Sequence, residues 1–437
     1  MSSFSIALSG LTASSSDLSV TSNNIANADT VGFKSSRAEF GDVYAAGAVD
    51  LNTSISGEGV QQLVTAQQFT QGNISTTSSN LDLAISGDGF FTLSGANGLE
   101  YSRNGQFSEN ANGDVVSTNG EALQVYPPLT TGGFNTGALS NLNLQSAQSA
   151  PKASTNAVVT LNLPAGATQP SQYTGAAYGQ PGAFNPANSA TYNQSTSTTV
   201  YDSLGNAYPA TMYFTALTPV AASAGPPAVA AIPADTWAVN MTINGALAGG
   251  SPQQMTFSTS GALQDVNGSP IATAGTKLPF TYTPPDGGTA MNVAFNFGTT
   301  TQYGGSFGVT SITQDGFATG QLSTVAIDST GIVSAVYTNG RTTQLGQLAM
   351  ANFPNTQGLK QLGDTSWAST FDSGDVVQGT AASAGFGSIQ AGALESSNVN
   401  LTTELVDMIT AQREFDSNAQ VITTANQESQ TVIQISH

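Results

Sequence analysis

Hydrophobic spacing at the two ends of the chain predicts long helices. Phe4, Leu8, Leu11, Ser15, Leu18, Ser22 and Ile25 follow an alternating four-three spacing, the seam of a coiled coil. Ile6, Ala7 and Val20 widen the stripe. The tail repeats the pattern from Leu401 through Leu405, Met408, Gln412, Phe415, Ala419, Ile422, Asn426, Ser429 and Ile433. No Pro or Gly interrupts residues 393–437, and Asn398 or Asn400 suits the N-cap. Glu404 and Asp407 complement the dipole of the first turns. The first helix has an opposing feature. Eleven of its first 22 residues are Ser or Thr, which compete for backbone hydrogen bonds. It therefore needs a partner, and the tail seam is the natural one.

Between the ends the period changes from helical to two-residue. Residues 30–72 read as an extended connector with short strands, including Phe40, Val43, Tyr44 and the Gly57-Glu58-Gly59 turn. Leu81, Leu83 and Ile85 alternate before the Ser86-Gly87-Asp88-Gly89 turn and the run Phe90 to Leu93. Turns follow at Gly95-Ala96-Asn97-Gly98, Asn104-Gly105 and Asn112-Gly113, a density that predicts an all-β module over 73–145. Strand signals resume in the middle segment at Val158 to Leu163, Thr198 to Asp202, Ala210 to Phe214 and Trp237 to Met241. Asp202-Ser-Leu-Gly-Asn206 is a hairpin turn between two of them. The β style of 73–145 returns at Leu322–Ile327, Ile332–Tyr337 and Leu345–Phe353.

Composition separates the middle segment from its flanks. All 18 Pro lie between Pro127 and Pro354, and no positive charge falls between Lys152 and Lys277. Pro-rich stretches such as Pro219 to Pro233 read as surface loops. The expected organisation is therefore nested. The fold class is mainly β with terminal α-helices: the end helices form a coiled coil, and one of two β-domains is inserted in the other. The expected pieces are 1–29 with 397–437 (helical), 30–72 with 389–396 (connector), 73–145 with 311–388 (discontinuous β), and 146–310 (inserted sandwich or barrel).

Charge and chemistry narrow the function. Charged residues make up 8% of the chain, with net charge −19 and eight Lys plus Arg, so a nucleic-acid footprint has nothing to be built from. The chain lacks Cys, and its single His is His437. Disulfides, thiolate metal sites and a Ser-His-Asp triad are thereby excluded or nearly so. No apolar run spans a bilayer, and the N-terminus lacks the layout of a cleaved signal. Gly57-Glu-Gly59 and Gly87-Asp-Gly89 have neither the frame nor the following helix of a phosphate loop. The pairs Asp82/Asp88 and Asp372/Asp375 sit in turn contexts that Asp favours anyway. Calcium has no DxDxDG run to bind. Trp237 and Trp367 read as β-core residues. Arg103, Arg341 and Arg413 are rare cations in an acidic chain, each either a solvated surface group or one half of a specific ion pair. Catalytic residues, cofactors and metals are not expected.

Four stretches carry a family resemblance. They are Leu8-Ser-Gly-Leu-Thr-Ala-Ser with Ser22-Asn-Asn-Ile-Ala-Asn-Ala-Asp-Thr-Val-Gly-Phe-Lys34; Gly87-Asp-Gly-Phe-Phe91 with Tyr101-Ser-Arg-Asn-Gly105; Val200-Tyr-Asp-Ser-Leu-Gly-Asn206; and Gly392-Ala-Leu-Glu-Ser-Ser-Asn-Val-Asn-Leu401 with Glu404 to Ile409 and Ala411-Gln-Arg413. The chain resembles the bacterial flagellar axial proteins, the rod and hook family. The third stretch, Ser35 to Tyr44 and the chain length favour the hook branch. The resemblance implies a homopolymer whose terminal helices line a central export channel, with β-domains layered outside. It further implies a curved, flexible joint that carries motor torque, type III export without a cleaved signal, and contacts with distal rod, hook cap and hook–filament junction proteins. Phe4, Leu8, Leu11, Leu18, Ile25, Leu401, Leu405, Met408, Phe415, Ile422 and Ile433 are then assembly positions. Asn23, Asn24, Asn27, Gly32, Phe33 and Lys34 become the joint between tube helix and outer layers. A rod or junction protein, or more remotely a secreted β-rich adhesin or glycan-active enzyme, is the competing expectation.

Overall fold

The computed structural model describes residues 2–43, 57–96, 98–144, 149–173, 184–221 and 231–435. Tyr44, Asn97, His437 and 222–230 of the proline-rich stretch lie outside the described residues. The chain divides into two compact units: 1–147 with 322–336 and 342–437, and 148–321 with 337–341. The mainly β class with helical ends, one β unit interrupting the other, is the one found.

In the first unit α1 (Ser2–Ala26) opens the chain. Its hydroxyls are absorbed by its own backbone: Thr12 Oγ1 donates to Leu8 O (2.9 Å), Ser14 Oγ to Gly10 O (2.9 Å) and Ser22 Oγ to Leu18 O (2.6 Å). This bonding satisfies the hydroxyls within the helix but adds no helix stability, so α1 still depends on its packing partners. Strands β1 (Ser36–Asp42) and β2 (Val60–Gln67) then form an antiparallel ribbon. The stretch expected as an extended connector thus folds back on itself and packs on α1.

The β body of this unit centres on Phe90–Gly95, Ala122–Tyr126 and Thr342–Asn352, which pair with one another. Gly98–Ser102 and Ser366–Ala368 extend it on one side. Strand alternation sends neighbours to opposite faces. Phe91 packs with Leu83, Ile85, Leu123 and Val125, while Phe90 joins Tyr101, Phe353 and Trp367. In that second cluster Tyr101 lies 4.8 Å from Phe353 and Phe90 5.7 Å from Trp367, ring centre to ring centre. The long helix α3 (Leu401–Ile435) closes the unit.

The second unit is a sandwich. One sheet runs Gln194–Tyr201, Ala207–Ala216, Thr236–Ile243, Gln253–Phe257 and Leu263–Val266. The other has Asn156–Pro164 at its centre, parallel to Met291–Asn296 and Thr301–Tyr303 and antiparallel to Gly308–Gln314. Val159, Leu161, Phe214, Trp237, Met241, Phe280 and Phe295 from both sheets share one core. A one-turn helix, α2 (Ile271–Ala274), follows the first sheet. The Asp202 turn forms as its sequence suggests. The Asp202 carboxylate accepts from the N–H groups of Leu204 (2.8 Å) and Asn206 (2.9 Å). Burial pushes that carboxyl up, but hydrogen bonds from Asn206, Leu204 and Tyr208 outweigh it and hold it below its ordinary value. Tyr208, buried beside Asp286 and Asp202, is pushed up to about 12.

Candidate assembly surface

The terminal helices pair, but on a different face of α1 from the apolar seam. The face turned to α3 carries Ala7, Gly10, Ser14, Asp17, Thr21 and Asn24, one residue earlier at every heptad position after Phe4. Ala7, Ser14, Thr21 and Asn24 are all buried. A Cβ on Gly10 would stand 2.8 Å from Asn418 Oδ1, so the Asn418 side chain packs directly over Gly10 and leaves no space for a large apolar side chain. Small residues permit this approach, and one residue of displacement rotates the apolar seam by about 100°. Phe4 and Leu8 therefore stay 43% and 47% exposed, and Leu11, Leu18 and Ile25 are half-buried. The expectation that the α1 seam itself meets the tail seam within one chain is corrected accordingly.

On α3, Met408, Phe415 and Ile422 are half-buried and Ala411 is fully buried, while Leu401 and Leu405 remain exposed. Val406 and Ile409 are also exposed. Ile433 lies within α3, but its side chain is outside the described set. Asn400 is the N-cap, its Oδ1 accepting from Thr402 and Thr403 N–H. Arg413 is exposed.

The joint after α1 is a dense polar knot. Asn23 O accepts from the Asn27 N–H and side-chain amide (3.2 and 2.9 Å), ending the helix. Asn24 bonds Ser36 in both directions (2.8 and 2.9 Å) and donates to Glu404 Oε2 (3.1 Å). Gly32 has φ +71°, and a Cβ there would lie 2.6 Å from Asn104 N; both conditions call for glycine. Phe33 is buried beside it. Asn398 receives the Ser35 N–H (2.7 Å) and donates to Gln68 O (2.7 Å), which ties this segment to the tail.

Lys34 is fully buried, and its ammonium meets Glu395 Oε1 at 2.7 Å and Thr70 O at 2.8 Å. Arg103 Nη1 takes the other Glu395 oxygen at 3.2 Å, and Nη2 donates to Gly87 O at 2.9 Å. The Arg103 guanidinium also lies 5.4 Å from the Phe90 ring centre. Burial lowers the pKa of both cations, and Glu395 opposes that shift in each. Glu395 was not singled out from the sequence. The available signal was scarcity: a chain with so few cations that buries two of them must bring a carboxylate to meet them.

The other singled-out residues lie elsewhere. Trp237 and Trp367 are core residues, each 1% exposed. In the second unit, Arg341 stacks on the Phe317 ring at 4.8 Å. Gly87 and Gly89 form the turn ahead of Phe90–Gly95. Among the described residues no group of three or more His, Asp or Glu could hold a metal ion, and no helix is long and apolar enough to cross a membrane.

A chain whose two ends pair as helices and leave apolar seams uncovered has the anatomy of an assembling structural subunit. Comparisons with known proteins agree. Residues 4–34 match the model "Flagella basal body rod protein", and 84–171 match "Flagellar hook protein FlgE/F/G D1 domain". Residues 162–317 match "Flagellar basal body protein FlaE D2 domain", and 390–435 match "Flagellar basal body rod FlgEFG protein C-terminal". The chain is 34% identical to the flagellar hook protein FlgE of Salmonella typhimurium over 440 residues, covering 99% of this chain and 100% of that one. It is 34% identical to the FlgE of Escherichia coli over 444 residues, 99% of each chain. The FlgE of Borreliella burgdorferi is 29% identical over 457 residues, 98% of each. The solved hook protein FlgE2 of Helicobacter pylori aligns with TM-score 0.48 and 14% identity, covering 74% of this chain and all of that one. The class is therefore the axial structural proteins of the bacterial flagellum. Within it, the chain belongs to the flagellar hook protein family, whose members are structural subunits and not enzymes.

Proposed function

We propose that this chain polymerises into the curved hook tube and that the apolar seam of α1 is its inter-subunit face. One observation carries the reading: Phe4 and Leu8 keep coiled-coil spacing yet stay exposed, because α1 spends a different face on its own α3. A heptad seam is filled by a helix, and α3 carries its own uncovered apolar residues at Leu401, Leu405, Val406 and Ile409. Residues 1–29 and 397–437 form the inner layer around an export channel, 30–72 and 389–396 brace it, and the β-domains lie outside. The inner helices supply torsional stiffness. The low-charge β surfaces supply contacts that exchange as the joint rotates, separated by small free-energy gaps. The partners are further copies, then distal rod, cap and junction proteins, after export through the type III apparatus to the outside of the cell.

Deleting residues 1–25 or 401–437 tests this reading. Electron microscopy of the salted-out full chain should show long curved tubes. Either truncation should abolish them and leave the β far-UV signal intact. Tubes formed by a truncated chain would sink the proposal.

A further inference from the structure

The chain has eight cations, and most of them are accounted for. Lys34 and Arg103 share Glu395, Arg37 meets Glu39, and Lys152 meets Asp315. Lys277 donates to Asn156 and Arg341 stacks on Phe317. Lys360 lies in the strand Lys360–Gly363. Arg413 is left as the one Lys or Arg on either long helix, against Asp17, Glu404, Asp407, Glu414, Asp416 and Glu428. It is exposed, with no ion pair among the described residues.

A groove of about 430 Å³ opens between α1, α3 and the β1–β2 ribbon, lined by Gly10, Ser14, Asp17, Phe40, Val60 and Glu414. Asn418 lies over Gly10 in this groove, and the aromatic wall formed by Phe40 suits a guanidinium plane. The groove's own charges are of one sign. Burial and the neighbouring Glu414 and Asp407 push the Asp17 carboxyl above its ordinary value. Glu404, also raised by burial, stands on the same side of α3. The ribbon cation Arg37 is engaged by Glu39, near the end of the ribbon opposite Val60. Arg413 of the same chain is not the natural occupant, because successive helix residues diverge by about 100° and Glu414 is the one that lines the groove.

Resting on the subunit reading above, we propose that Arg413 of one copy enters this groove on a second copy and pairs with Asp17 and Glu414. The occupant follows from charge complementarity. Among the described residues the groove lacks a cation, the helical layer carries one that is unspent, and every added copy brings both. A planar guanidinium bridging two carboxylates is the pairing Arg makes well. Such a pair sets register between copies as well as adding affinity.

A charge swap tests this, read as the critical concentration for tube growth from wild-type seeds. Arg413→Glu should raise it roughly tenfold, and Asp17→Lys should raise it similarly. The combined variant should return to within about threefold of wild type. Far-UV spectra and β-body melting of each variant serve as the folding control. Arg413→Gln, which removes the cation without adding an anion at that position, should assemble with less salt dependence than wild type between about 0.05 and about 0.5 M. Growth of Arg413→Glu at the wild-type concentration overturns the pairing, as does failure of the double variant to recover. Loss of wild-type assembly on adding EDTA would assign the groove to a divalent cation instead. A wild-type chain that never assembles would overturn the subunit reading itself and this pairing with it.

Discussion

Glu395 is the residue on which the joint depends. Its two oxygens neutralise Lys34 and Arg103 and also accept the Gly72 N–H at 2.8 Å. Replacing it with Gln leaves two buried cations without a countercharge, the costly case for a buried ion pair. Glu395→Gln should lose about 3–5 kcal/mol, read as a lowered urea midpoint of the first unit. Lys34→Met should cost less, because the Glu395–Arg103 pair survives it. A midpoint for Glu395→Gln equal to wild type would mean the triad does not hold the joint. The glycine and asparagine of this knot were legible in sequence as turn residues. Their carboxylate was not, because Lys34 and Glu395 lie 361 positions apart and periodicity reports only neighbours.

At the scale of elements, the α1–α3 pair is close-packed and polar, so it should respond to volume and to pH. Gly10→Leu should wedge the helices apart and expose α1 to protease. Gly10→Ala should be tolerated, since the atoms a Cβ would meet belong to the movable Asn418 amide, and Ala gains helix propensity of about 1 kcal/mol. The pH response follows from the raised Asp17 and Glu404 carboxyls. A raised acid binds protons more readily in the folded pair than in the unfolded chain. The pair is therefore firmest at acid pH and loosens as pH rises through these elevated values, then levels off. Asp315 in the second unit behaves oppositely. Burial raises its carboxyl, but the Asn156 and Thr155 N–H groups, the Thr155 hydroxyl and Lys152 together hold it far below the ordinary range. The stability it adds at neutral pH is lost as pH falls through and below that range. Protease resistance of α1 followed from neutral to acid pH should rise, and Asp17→Asn should flatten the change. A decline on acidification would refute the like-charge seam.

At the scale of the whole molecule, the second unit has a sandwich core of its own, drawn entirely from its long segment 148–321. A fragment of residues 149–321 should fold alone and melt in one cooperative transition. Failure to fold would mean that the core depends on the rest of the chain. Its turn at Asp202 and its alternating strands were readable. The parallel pairing of Asn156–Pro164 with two later strands was not, because such pairing joins segments more than a hundred residues apart.

The sequence by itself determined where helix gives way to strand, where hairpins turn, and that both ends carry seams. These are local preferences, set by rotamer freedom, backbone hydrogen bonding and the 3.6- and 2-residue periods. Only the tertiary structure decided which face of α1 its own tail takes. Hydrophobic periodicity ranks faces by apolar content, but close helix approach is won by the smallest side chains. The Ala7–Gly10–Ser14–Thr21 face therefore prevailed inside the chain, while of the apolar seam Phe4 and Leu8 were left exposed and Leu11 and Leu18 half-buried.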